Sequence, residues 1–162
     1  MNLINLTEHA HRVHALMLRA KQTTPTTPTM PDEKTRLLRA KLIMEEALET
    51  VKALGVAVRV GAKDDPRAYF FDSMLGLELI RHGEPDLVGI VDGCADVSVV
   101  TIGTLLACGV EDKPVLEAVD TNNLGKFGPG HSYREDGKLI KPPGHLPPDI
   151  DACLRLQGWR KP

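Results

Sequence analysis

The chain predicts an all-α fold: a helical bundle assembled as a dimer or tetramer, with an irregular Gly/Pro-rich C-terminal tail. Three observations lead there. Long stretches repeat their apolar residues at helical three- and four-residue spacing. The run from Leu87 to Val110, LVGIVDGCADVSVVTIGTLLACGV, is almost wholly apolar or small, and a helix apolar on nearly all sides belongs in a core or an interface. At 162 residues and 42% apolar content the chain suits one domain. It has too few other helices to cover that run alone, which points to a symmetric assembly.

The first helix is expected from Leu3 to about Ala20, where Leu6, Ala10, Val13, Leu16, Met17 and Ala20 fall on one face. Residues 21–31, KQTTPTTPTMP, cannot be helical and form a connector. Asp32 suits the N-cap of a long second helix running to about Leu54, with Gly55 as its stop. Residues 56–85 read as an insertion, in which VAVRV is a short extended segment and a short helix is expected over about 67–81. The apolar helix follows, opened by Glu84-Pro85-Asp86 and closed at Cys108-Gly109. A shorter helix spans Lys113 to about Leu124, with Pro114 near its start. Residues 125–162 are a wrapping tail, in which Glu135-Asp136-Gly137-Lys138 predicts a tight turn between SYR and LIK.

Composition excludes several roles. A net charge of −2 and 4% aromatic residues argue against a nucleic acid polymer as partner. The aspartates Asp92 and Asp96 inside the apolar run argue against a membrane span. The N-terminus lacks the basic-then-apolar pattern of a signal peptide, and Cys94, Cys108 and Cys153 have no metal-ligand spacing. They read as small core residues of a protein in the reducing cytoplasm.

The chemistry lies in the acids. Glu45, Glu46 and Glu49 fall within an arc of about 100° on the second helix, and Leu38 and Leu42 share that arc. An ordinary solvated face carries no such apolar overlap. Asp92 and Asp96, four apart, share a face of the apolar helix, where buried carboxylates would need a cation, a metal or several hydrogen-bond donors to compensate them. Two acidic faces opposed across a helix pair would bring five carboxylates together, and oxygen-only ligands suit Mg²⁺, with Mn²⁺ as the alternative. Such clusters activate water and neutralise charge on a phosphoanhydride. Glu8 and His11 form a single Glu-x-x-His, whereas di-metal redox bundles need two. The tail's Lys126, Arg134, Lys138 and Lys141 would suit a polyphosphate substrate, or else merely solvate the tail.

EEALE at 45–49, an acidic pair leading into ADVSVVTIGTLLACGV, and the tail VDTNNLGKFGPG…REDGKLIKPPG together resemble the MazG-like all-α nucleoside triphosphate pyrophosphohydrolases. That group includes the dimeric dUTPases and phosphoribosyl-ATP pyrophosphohydrolase. The resemblance covers roughly residues 8–55 and 84–148. It implies a single MazG-like domain over 1–162 that cleaves a nucleoside triphosphate between its α- and β-phosphates. The products would be a nucleoside monophosphate and pyrophosphate, in nucleotide-pool cleaning. By the same resemblance Glu46, Glu49 and Asp96 hold Mg²⁺, Asp92 completes the set, and Glu45 serves a further ion or orients the attacking water. Glu45 and Glu46 are then the catalytic pair. Asn123 and Lys126 match positions that meet the nucleotide, and Arg39, Arg134 and Lys138 are further candidates for the phosphates. The pattern departs at Gly93, which stands where the signature has a glutamate, and in the longer gap before Asp92. Phosphoribosyl-ATP hydrolysis and a non-catalytic helical nucleotide-binding module are the alternative readings.

Overall fold

The computed structural model describes residues 2–60, 77–127, 131–135 and 137–161. It is mainly helical: a 3-10 turn at Leu3–Asn5, then α1 (Glu8–Arg19), α2 (Glu33–Ala53), α3 (Leu87–Ala107), α4 (Asp112–Leu124) and α5 (Ile150–Leu156). The expectation of a purely α chain needs one correction. Strands β1 (Val56–Val60) and β2 (Leu77–Arg81) pair antiparallel, as do β3 (Ser132–Tyr133) and β4 (Leu139–Ile140). The described part of the helix expected over 67–81 is therefore strand. In LELIR, Glu78 stands opposite Arg59 of β1 and pairs with it. A cross-strand partner of this kind overrides local helical spacing. The rest of that predicted helix lies outside the described residues.

The chain separates into two compact units, one of residues 1–31 and 102–162, the other of residues 32–101. In the first, Ala10, Val13 and Met17 on α1 are buried, as their spacing predicts, with Leu6 before the helix. Ile102, Leu106, Ala107 and Val110 are buried in the same unit. Leu16, assigned to that face from the sequence, is exposed. The helix begins later than its apolar pattern, because Thr7 caps it by accepting from Ala10 N. The same Thr7 donates its backbone N–H and hydroxyl to Asp112 at 3.0 and 2.6 Å. Asp112 is fully buried, and neighbouring Glu111 accepts from Asn5 Nδ2 at 2.7 Å. These bonds tie the start of α1 to the start of α4. In the tail, Asp149 caps α5 by accepting from Ala152 N, so the segment expected to be irregular holds one short helix. The β3–β4 hairpin falls where the turn chemistry placed it, with Gly137 at φ +79°.

In the second unit Asp32 accepts from Thr35 N at 2.8 Å and caps α2 as expected. Gly55 stops that helix at φ +73°. A side chain there would also strike Gly83 O, 2.9 Å from a built Cβ. Asp86 caps α3 through Val88 N, and its own N–H bonds to Ala53 O at 2.8 Å, so the end of α2 and the start of α3 are held side by side. Leu87, Val88 and Val91 are 74, 78 and 62% exposed, so the first half of the apolar helix is not core within this chain. Nor are the cysteines core: Cys94 is exposed, Cys108 and Cys153 are half-buried, and all three are free thiols. By length and composition α3 would reach across a bilayer, but its two aspartates would cost roughly 2.5–3.5 kcal/mol each at the centre.

Candidate active site

The carboxylates of α2 and α3 meet in the second unit. Asp86 holds the start of α3 against the end of α2, and from there Glu49, Asp92 and Asp96 line one groove of about 580 Å³. Lys52, Glu84 and Asp86 contribute its remaining charged lining. Glu84 and Asp86, read from the sequence only as helix-start acids, thus extend the acidic wall. Their proximity in sequence to the α3 cap concealed this. Asp86 is engaged as the cap, and Glu84 pairs with Arg81 at 3.1 Å.

Glu46 reports how near the others are. Its carboxyl pKa is raised from the ordinary value, first by partial desolvation and then by the charges of Asp96, Glu49, Glu45 and Asp92. Four acids from two helices therefore act on one. The arrangement corrects the reason given for Asp92 and Asp96. Both are exposed rather than buried, so what demands a counter-ion is mutual repulsion, not loss of water. Among the described residues no three His, Cys, Asp or Glu side chains already converge as a preformed metal cage. The donor set is nonetheless all oxygen, clustered and like-charged, which fits a hard divalent ion that keeps several waters.

The residues assigned to the substrate are not among those lining the groove. Arg39, on α2, is buried at 7% exposure and does not line the groove. Asn123, Lys126, Arg134 and Lys138 belong to the first unit. There Lys126 Nζ donates to Asn123 Oδ1 at 2.5 Å, joining two of the candidates as one polar pair at the end of α4. Arg134 and Lys138 flank the hairpin turn, where Arg134 N bonds to Lys138 O at 2.8 Å, and both are exposed.

A mainly helical chain whose two long central helices oppose rows of carboxylates has the construction of the MazG-like all-α nucleotide pyrophosphohydrolases. The comparison with family models narrows this. The phosphoribosyl-ATP pyrophosphohydrolase family matches residues 10–123, and the chain belongs to that family of nucleotide pyrophosphohydrolases. The match takes in both acidic helices and stops before Lys126 and the tail. No curated protein matches the chain.

Proposed function

We propose that this enzyme is a Mg²⁺-dependent nucleoside triphosphate pyrophosphohydrolase. It cleaves between the α- and β-phosphates, releases a nucleoside monophosphate and pyrophosphate, and serves nucleotide-pool cleaning in the cytoplasm. The observation that carries the reading is the groove in which Glu49 of α2 meets Asp92 and Asp96 of α3, with the Glu46 pKa raised by desolvation and then by charges that include theirs. Glu46, Glu49 and Asp96 would hold the ion, with Asp92 completing the set. When bound, Mg²⁺, or Mn²⁺ in its place, supplies charge neutralisation at the phosphates and lowers the pKa of water. Glu45 orients the attacking water. The water's proton passes to Glu45, the carboxylate not assigned to holding the ion. The water oxygen bonds to the α-phosphorus, and the bridging oxygen leaves with pyrophosphate. Lys126 steadies a phosphate with Asn123 beside it, while Arg134 and Lys138 add positive charge.

Phosphoribosyl-ATP is the second substrate reading. It carries the same triphosphate, and the family match favours it. The tail favours a free nucleoside triphosphate, because its resemblance lies beyond the matched residues. The exposed Leu87, Val88 and Val91 fit the interface of a homodimer or homotetramer, which light scattering after size exclusion would test. The decisive assay is a panel of canonical and modified nucleoside triphosphates beside phosphoribosyl-ATP, with Mg²⁺, measuring pyrophosphate against orthophosphate. Pyrophosphate from one of them is expected. Orthophosphate alone, or no turnover on any, would reject the reading.

A further inference from the structure

Gly93 lies on α3 between the two aspartates of the groove and carries no chemistry of its own. A Cβ built on it would stand 2.5 Å from Thr50 Oγ1, 3.1 Å from Thr50 Cα and 3.2 Å from Thr50 Cβ. The first distance is below any real contact, so at this point α3 touches α2 with only hydrogen between. Gly89, one turn earlier, is less tight: its Cβ would meet Ala53 Cβ at 3.2 Å and Asp86 Oδ2 at 3.1 Å. Thr50 is not free to give way. Its hydroxyl donates to Glu46 O at 2.7 Å, and it adjoins Glu49 in the chain. Pressure applied at Gly93 therefore falls on the turn of α2 that carries Glu46 and Glu49.

We infer that Gly93 is a positioning residue: its missing side chain sets the gap between Glu46 and Glu49 on α2 and Asp92 and Asp96 on α3, and so sets affinity for a divalent cation. The inference rests on the metal-site reading above. It also accounts for an acid at Asp92 with none at position 93. Any side chain at 93 starts inside Thr50, whereas Asp92 opens into the groove.

The test uses the melting temperature of the full chain titrated with MgCl₂ alone, with no nucleotide present. Four proteins are compared: wild type, Gly93→Ala, Gly89→Ala and the double variant Gly93→Ala/Thr50→Ala. Gly93→Ala should need on the order of tenfold more Mg²⁺ for half of its thermal shift, the lower range for residues that act through metal ligands. Gly89→Ala should need less than that. In the double variant the nearest contact relaxes from 2.5 to 3.1 Å, so much of the Mg²⁺ response should return. A wild-type Mg²⁺ requirement in Gly93→Ala overturns the inference, and so does a double variant no better than the single. If the single variant does not fold, the double decides. Failure of both to fold makes Gly93 a folding residue and overturns the positioning role. A wild type whose melting ignores Mg²⁺ rejects the metal site itself, and the inference with it.

Discussion

Two groups of acids in this chain are treated in opposite ways. Glu111 and Asp112, in the first unit, are buried, and donors are aimed at them: Thr7 gives Asp112 both its N–H and its hydroxyl, and Asn5 gives Glu111 an amide. Glu45, Glu49, Asp92 and Asp96, in the second unit, are exposed, and their effect on Glu46 is repulsive. Burial with matched donors marks an acid that holds the fold. Exposure with unrelieved like charge is what the proposed cation site would require of its acids. The same two residue types thus serve structure in one place and, on the proposed function, chemistry in the other.

The sharpest way to break that contrast is to neutralise one acid of each kind. In the groove, Asp96→Asn removes a charge that would contribute to several kcal/mol of transition-state stabilisation. Turnover should fall on the order of 10³-fold, while the apo-protein melts no lower than wild type. Steady-state kinetics beside an EDTA melt checks this. Activity within a few-fold of wild type would place Asp96 outside the site. In the first unit Asp112→Ala should do the reverse. It strands the Thr7 N–H and hydroxyl, each bonded to a charged acceptor, and should cost about 3 kcal/mol of stability. Turnover per folded molecule at low temperature should hold. Urea melts with an activity assay below the transition separate the two effects, and a neutral Asp112→Ala would mean that this buried pair pins nothing.

Much of this was legible in the sequence where the cause is local. Asp32 caps a helix, and Gly55 ends one, because a cap depends on three or four neighbours in the chain; the Thr7 cap, which starts α1 later than its apolar pattern, escaped. The Glu45, Glu46 and Glu49 row follows from helical geometry alone. What escaped depends on partners far away in the chain. LELIR became β2 through VAVRV, some twenty residues earlier. The apolar face of α3 gave no sign of which half this chain covers, and in fact its first half stays exposed. Arg39 is a candidate for the phosphates by resemblance, yet tertiary packing buries it. Gly93 read as a loss from the resemblance, when the close approach of α2 explains it.

Lys126 sharpens the contrast from the basic side. Among the described residues its ammonium donates to Asn123 Oδ1 at 2.5 Å, and an ammonium has three protons to give. Lys126→Ala should weaken kcat/KM by about tenfold or more, from a charge-assisted bond worth about 1.5–3 kcal/mol. Lys141→Ala, on an exposed stretch of the tail, should change it little. Melting should be the same for both. Equal kinetics in the two variants would assign Lys126 to the tail's solubility.

The smallest effect is the most specific to the clustered acids, because its sign is fixed. Glu46 has a folded pKa raised above 4.5, chiefly by desolvation and then by its four acidic neighbours. Below 4.5 the group is protonated folded and unfolded, and no penalty exists. As pH rises past the unfolded value and through the raised folded pKa, the unfolded chain gives up its proton first and the folded chain can ionise Glu46 only beside four other charges, so stability is lost. Glu46→Gln cannot ionise. Without metal it should match wild type at low pH and become the more stable protein at neutral pH. Solvent screening keeps the difference modest, and added salt should shrink it. Saturating Mg²⁺ should invert the order, since the ion then stabilises only the chain that keeps its ligand. The measurement is a set of apo and Mg²⁺ melts of both proteins across the carboxylate range and up to neutrality. An apo Glu46→Gln less stable than wild type at neutral pH would mean that Glu46 is gaining from its surroundings. The second group of acids would then be no different in kind from Glu111 and Asp112.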